Sequence, residues 1–272
     1  MKYKLIACDL DGTLVGSDLT VSDANKRAIT ELSEMGVSFV PCTGRTLSEM
    51  RETVDNPNVR YIIYSNGPAI LDKKTGSSAF LGFTRDKATE IMDILSKFDC
   101  YIIVHYLGET YIDIDMTDEN VVRYNISFNV KKLVGEYANK TDNLKNAVCA
   151  MDGIESITVF FKSKGDYDLL RATLGKVDGI SFVDGWDLNL EIFSANTSKG
   201  KALATLSQSL DIPLSETIAV GDSGNDVSMV KAAGLGIAMS NACDELKAVA
   251  NEIACSNDES VAHFILERYF CE

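Results

Sequence analysis

Lys4-Leu5-Ile6-Ala7-Cys8-Asp9-Leu10-Asp11-Gly12-Thr13 is the stretch on which the fold turns. Its first half is a short, nearly continuous apolar run, the pattern of a strand buried on both faces. Its second half sets two carboxylates two residues apart just beyond that strand. Gly12 then lets the chain turn sharply away. In open α/β sheets, sites form at the carboxyl ends of strands, so an acid pair in this position is a candidate for chemistry. Read alone, it is a weak signal, because Asp, Gly and Thr are also common turn residues.

The surrounding chain supports the strand. Ser22 can cap a helix running to about Met35, with Ala28, Ile29, Leu32 and Met35 on one face, and Gly36 stops it. Val37 to Cys42 reads as the next strand, Thr46 to Val54 as a helix and Tyr61 to Tyr64 as a third strand. Alternation at this spacing predicts a parallel sheet with helices on both faces, an α/β, Rossmann-like core. After about Gly82 the pattern changes. A helix over Arg85 to Phe98 precedes two strand-like runs, Tyr101 to Tyr106 and Thr110 to Asp115, separated by a hairpin turn. Strands at Ser156 to Phe161 and Ile180 to Val183, with a helix around Tyr167 to Leu174, complete an antiparallel α+β module. From about Leu188 the first pattern resumes: helix Lys199 to Leu210, strand Thr217 to Val220, helix Asp226 to Ala233, strand Leu235 to Ala238, a helix from about Asp244, and a closing helix over Ser260 to Phe270. The expected organisation is a core formed by residues 1–82 and 188–272, interrupted by an inserted α+β cap domain at 83–187. Gly82 and Gly185 lie near the two expected hinges.

Composition narrows the function. The 272 residues are 46% hydrophobic and 24% charged, ordinary for a globular protein with a sizeable core. The formal net charge of −14 argues against nucleic acid or an anionic membrane surface as partner. It also means that an anionic substrate needs local positive charge at its site. Seven cysteines, scattered and without a Cys-x-x-Cys pair, read as free thiols of a reducing cytosol. The first apolar run is too short for a signal-peptide core, and no stretch reaches membrane-spanning length, so the expected location is cytoplasmic. Two histidines, His105 and His263, are too few for a histidine-rich zinc site and argue against a Ser-His-Asp triad.

Three further segments join the acid pair. Thr43-Gly44-Arg45 follows the second strand, where a hydroxyl and backbone N–H groups opening a helix can hold phosphate oxygens. Lys199 begins a helix and could neutralise phosphate and carboxylate charge. Gly221-Asp222-Ser223-Gly224-Asn225-Asp226 follows the strand Thr217 to Val220, and its oxygen-rich loop suits a hard divalent cation. Individually these are a helix cap, a surface lysine and a loop. Together they supply a nucleophile, a proton carrier, phosphate hydrogen bonds, fixed positive charge and metal ligands, the needs of phosphoryl transfer.

In order and spacing, the four motifs resemble those of the haloacid dehalogenase superfamily, and within it the Cof-type subfamily with a large (class IIB) cap. Asn66-Gly67, Leu190-Glu191-Ile192 and Gly236-Ile237-Ala238-Met239 with Asn241-Ala242 are also similar to that subfamily, and Ser240 stands where a glycine is common. The resemblance implies a phosphatase acting on small phosphorylated metabolites such as sugar phosphates, with Asp9 as nucleophile, Asp11 as general acid and base, and Lys199 neutralising charge. It implies Mg²⁺ held by Asp9, Asp11 (through its carbonyl) and Asp222, with Asp226 in support, and substrate contacts from Leu10, Thr43, Gly44 and Asn225. An acid at position 11 favours phosphatase or phosphomutase chemistry over dehalogenase chemistry. A phosphomutase and a non-catalytic phosphometabolite-binding protein remain as alternatives, and neither the substrate nor the oligomeric state is legible.

Overall fold

The computed structural model describes residues 2–50, 56–184 and 188–271. Its strands, in chain order, are β1 (Leu5–Cys8), β2 (Ser38–Pro41), β3 (Tyr61–Tyr64), β4 (Ala69–Asp72), β5 (Ser77–Phe80), β6 (Cys100–Tyr106), β7 (Glu109–Ile112), β8 (Asn139–Lys140), β9 (Ser156–Phe161), β10 (Ile180–Asp184), β11 (Asn189–Ser194), β12 (Thr217–Gly221), β13 (Leu235–Ala238) and β14 (Glu252–Ile253). The chain divides into two compact units, one of Met1–Arg45, Met50–Ala79 and Ser198–Glu272, the other of Thr46–Glu49 and Phe80–Thr197.

The first unit is built on a five-stranded sheet of order β14-β13-β12-β1-β2. Every pairing in it is parallel. All four residues of β1 are buried, as a central parallel strand requires. The helix Asp23–Glu34 starts where Ser22 accepts a hydrogen bond from the Asn25 N–H, and it buries Ala28, Ile29 and Leu32. Met35, expected on that buried stripe, is exposed, because it is the C-cap residue and the helical phase ends with Glu34. Asn25 is buried in its place. This helix packs against Val261–Tyr269, and the helix Lys199–Ser209 packs against Val227–Ala232.

One expectation fails in this unit. Tyr61–Tyr64 touches the parallel sheet through one bridge, Cys42 to Ile63. It belongs instead to a three-stranded sheet of order β3-β4-β5 and pairs antiparallel with β4. Of the expected helix Thr46 to Val54, the described residues 46–50 include a 3₁₀ turn at Ser48–Met50, and residues 51–54 lie outside the described residues. The Glu49 carboxylate accepts the Thr46 N–H at 2.9 Å, the return bond of a helix N-cap, and the hydroxyls of Thr46 and Ser48 bond at 3.0 Å.

The inserted unit carries a six-stranded sheet of order β10-β11-β9-β6-β7-β8, antiparallel except where β7 meets β8. Alternate residues of its strands enter two cores. Val104, Ile157, Val159 and Phe161 pack with Arg85–Leu95, Leu144–Val148 and Lys164–Leu174. Tyr101, Ile103 and Phe160 pack with Tyr124, Ile126 and Val134, on and beside Asp118–Arg123 and Phe128–Tyr137. The expected hairpin exists, tighter than foreseen: Glu109 joins the strand, leaving Leu107 and Gly108 as a two-residue turn with φ of 53° and 76°.

The second boundary of the insertion differs from the expected 187/188. Asn189–Ser194 is a middle strand of the antiparallel sheet, paired with both β10 and β9, so the inserted unit runs on to Thr197. Its apolar alternation does not distinguish a strand of one sheet from a strand of the other. Gly82, an expected hinge, is pinned: a Cβ there would lie 2.1 Å from the Ile154 carbonyl oxygen. Gly185 lies outside the described residues. Among those residues no helix is long and apolar enough to cross a membrane.

Candidate active site

Asp9 is the first residue beyond β1, its N–H bonded to the Val220 carbonyl of β12 at 3.0 Å. That bond continues the parallel ladder by one step and holds the side chain at the carboxyl end of the sheet. Lys199 opens the helix Lys199–Ser209, capped by Ser198. Its Nζ donates to Asp9 Oδ1 at 2.6 Å and to Asp226 Oδ1 at 2.7 Å, and the Lys199 side chain is wholly buried. Asp226 Oδ2 accepts the backbone N–H groups of Asp222 and Ser223, both at 3.0 Å. Asp226 therefore shapes the loop after β12 while pairing with the lysine. Asp222 Oδ1 accepts the Thr13 hydroxyl at 3.2 Å. Gly12 sits at φ 78°, and a Cβ there would meet Asp222 Oδ2 at 2.5 Å, so only glycine fits this turn against the acid.

Carboxylate oxygens of Asp9, Asp222 and Asp226 lie within 4.8 Å of one another. Three carboxylates against one ammonium leave two negative charges uncompensated. Burial, opposed by Lys199 and reinforced by Asp226, pushes the Asp9 carboxyl up to about 8. Asp222 is raised by burial and by Asp226. Burial also opposes charge on Lys199, but Asp226 and Asp9 override it and hold the ammonium above the lysine range. A divalent cation fits this cluster: the donors are all hard oxygens, and its charge matches the excess. Asp9 and Asp222 accept the Lys199 and Thr13 hydrogen bonds through Oδ1, which leaves Oδ2 of each for the cation, whereas both Asp226 oxygens accept hydrogen bonds, from Lys199 and from the Asp222–Ser223 backbone.

Thr43 follows β2, its N–H bonded to the Ile63 carbonyl at 2.9 Å and its Oγ1 accepting the Arg45 N–H at 3.1 Å. Gly44 beside it is exposed. Asn225 lies in the 3₁₀ turn Gly224–Asp226; its Oδ1 accepts the Ser223 hydroxyl at 2.6 Å, and its Nδ2 donates to Asn66 Oδ1 at 2.9 Å. Asp11 is half-exposed and gripped by the Arg45 fork, Nε to Oδ2 at 2.8 Å and a terminal nitrogen to Oδ1 at 2.5 Å. The Leu10 side chain is fully buried, so any substrate contact at this position is limited to its backbone.

Asp9, Lys199, Asp222 and Asp226 thus form one bonded cluster. Thr43, Gly44 and Asn225 are linked through Asn66, and Asp11 is held by Arg45. The residues missed as site members are Arg45 and Asn66. Both stood inside quoted motifs, but neither residue type announces its partner before folding. His105 bonds Thr110 Oγ1 at 3.2 Å, and burial pushes its imidazole down towards neutrality, the state of a structural histidine. His263 lies on the closing helix beside Glu267 at 3.3 Å. All seven cysteines are free; burial pushes Cys8 and Cys42 far up, which makes them inert.

Residues 6–265 match the family model of haloacid dehalogenase-like hydrolases. The chain belongs to this family. Among its relatives, phosphatase YwpJ of Bacillus subtilis (strain 168) is 30% identical over 96% of this chain and 98% of its own length. The 5-amino-6-(5-phospho-D-ribitylamino)uracil phosphatase YcsE of the same organism is 26% identical over 97% and 96%. The solved structure of a haloacid dehalogenase-like hydrolase from B. subtilis superposes with a TM-score of 0.80 at 29% identity, covering 99% of this chain and all of the other. In this haloacid dehalogenase-like hydrolase the acids and the lysine gather at the carboxyl end of the parallel sheet, where the fold places its chemistry.

Proposed function

We propose that this hydrolase is a phosphatase of small-molecule phosphate monoesters, with Asp9 as nucleophile and Mg²⁺ as resident cation. One observation carries the proposal: the Asp9 carboxylate stands 2.6 Å from the Lys199 ammonium and shares an acidic cluster with Asp222 and Asp226. A carboxylate so placed can attack phosphorus. The Asp9 oxygen forms a bond to phosphorus as the bond from phosphorus to the alcohol oxygen breaks, leaving an aspartyl phosphate. Asp11 gives its proton to the leaving oxygen, then takes one from the water that attacks phosphorus and frees Asp9. Thr43 and Asn225 donate to phosphate oxygens, and Lys199 offsets charge around Asp9. When bound to Asp9, Asp222 and the Asp11 carbonyl, the divalent cation shields the nucleophile from the phosphate dianion. These local positive charges overcome the −14 of the chain.

The named relatives support phosphatase over phosphomutase. They also put 5-amino-6-(5-phospho-D-ribitylamino)uracil in the first panel of substrates, beside sugar phosphates. The test is release of inorganic phosphate from such a panel, with Mg²⁺ and with chelator, by wild type and Asp9→Asn. The expected result is metal-dependent release, without any bisphosphate activator, by wild type only. Equal release by the variant would overturn the assignment.

A further inference from the structure

Resting on the phosphatase reading above, we infer that Asn66 is a positioning residue that locks the Thr43 loop and the Asn225 loop into one phosphate cradle. Directly after β3 the backbone takes three successive positive φ values, Ser65 at 54°, Asn66 at 66° and Gly67 at 109°. Asparagine and glycine tolerate this region, but serine adopts it only where the surroundings enforce it, and such outliers concentrate at functional sites. The surroundings here are specific. The Ser65 N–H bonds the Arg45 carbonyl at 2.9 Å, and the Asn66 N–H bonds the Thr43 carbonyl at 2.9 Å. The turn thus grips both ends of Thr43-Gly44-Arg45.

The Asn66 side chain reaches the other way. Its Oδ1 accepts from Asn225 Nδ2 at 2.9 Å, and its amide lies so close to Gly44 that a Cβ there would stand 3.1 Å from it. Asn225 Oδ1 is taken by the Ser223 hydroxyl, so the orientation of the Asn225 amide is set at both of its ends. One Asn225 N–H is then committed to Asn66, and the other is held in a fixed direction. Gly67 presses on the start of the Lys199 helix, where a Cβ would be 2.4 Å from the Ser198 carbonyl oxygen. A single turn therefore ties together the segments carrying Thr43, Asn225 and Lys199. Misplacing a phosphate donor by about 1 Å can cost on the order of a hundredfold in rate.

Two variants separate positioning from other roles. Asn66→Gly retains the backbone conformation and the N–H to Thr43 but removes the amide. The same substitution in an Asn225→Ala background tests whether the two residues act together. Hydrolysis of p-nitrophenyl phosphate is expected to fall roughly tenfold to a hundredfold in kcat/KM for Asn66→Gly. In the Asn225→Ala background, Asn66→Gly should add almost nothing, because the two residues act as one unit. Titration calorimetry with inorganic phosphate reads the cradle without turnover and should show weaker binding in Asn66→Gly, while the thermal shift produced by Mg²⁺ stays at the wild-type value. Wild-type kinetics and phosphate affinity in Asn66→Gly would overturn the inference. So would a full additional loss from Asn66→Gly in the Asn225→Ala background, the result expected if Asn66 itself donated to phosphate. A wild type that binds phosphate but does not turn over would count against the phosphatase reading alone.

Discussion

The buried ammonium of Lys199 decides the character of the site. It is paired with two carboxylates and shielded from water, so removing it strands both acids. Lys199→Met is expected to cost about 3 kcal/mol in metal-free stability, read as a lower urea midpoint, and to abolish turnover. The Asp9 carboxyl gives a second expectation. Burial raises it from 3.8 to about 8 in the folded protein without metal, so between those values the folded state binds more protons than the unfolded one. Stability of the metal-free protein should therefore fall as pH rises through that window. A divalent cation competes with that proton, so the gain in Tm on adding Mg²⁺ should be larger near pH 8 than near pH 5; equal gains would contradict the account. Asp11→Asn should slow alkyl phosphate hydrolysis by about 10²-fold or more and p-nitrophenyl phosphate far less, since a good leaving group needs little protonation. The acids and the lysine were legible because each follows a buried strand or opens a helix. Arg45 and Asn66 were not, because their roles depend on partners 34 and 159 residues away.

At the scale of elements, Asn25 holds the first helix to its neighbours. Its Nδ2 donates to the Leu14 carbonyl at 3.1 Å and its Oδ1 accepts the Ala262 N–H at 2.9 Å, at the start of Val261–Tyr269. Asn25→Ala leaves both backbone groups buried without a partner and should destabilise by about 2 kcal/mol, measured by urea unfolding. Apolar periodicity made the parallel strands and the long amphipathic helices readable. It failed where elements carry little apolar patterning or are very short: β5 has no buried residue, β8 and β14 are two residues each, and three helices between Asp118 and Val148 run from five to ten. Such pieces make too few turns or pleats for a period to emerge.

For the whole chain, the alternation of patterns showed that one α/β unit is interrupted by an α+β insertion, but not where the insertion ends. β11 reads equally well as either sheet, and its pairing with β9 and β10 depends on strands already folded. The substrate is the part least written in the sequence. The chemistry at phosphorus needs fixed residue types, whereas recognition of an alcohol can be met by many. Asp9 as nucleophile is the claim on which the rest depends. Quenching the enzyme during turnover with borohydride reduces an acyl phosphate to the alcohol, and peptide mass spectrometry then locates it. Asp9 is expected to be converted to homoserine, only with substrate and Mg²⁺ present. Steady turnover with residue 9 unmodified, or with the modification at another acid, would contradict it.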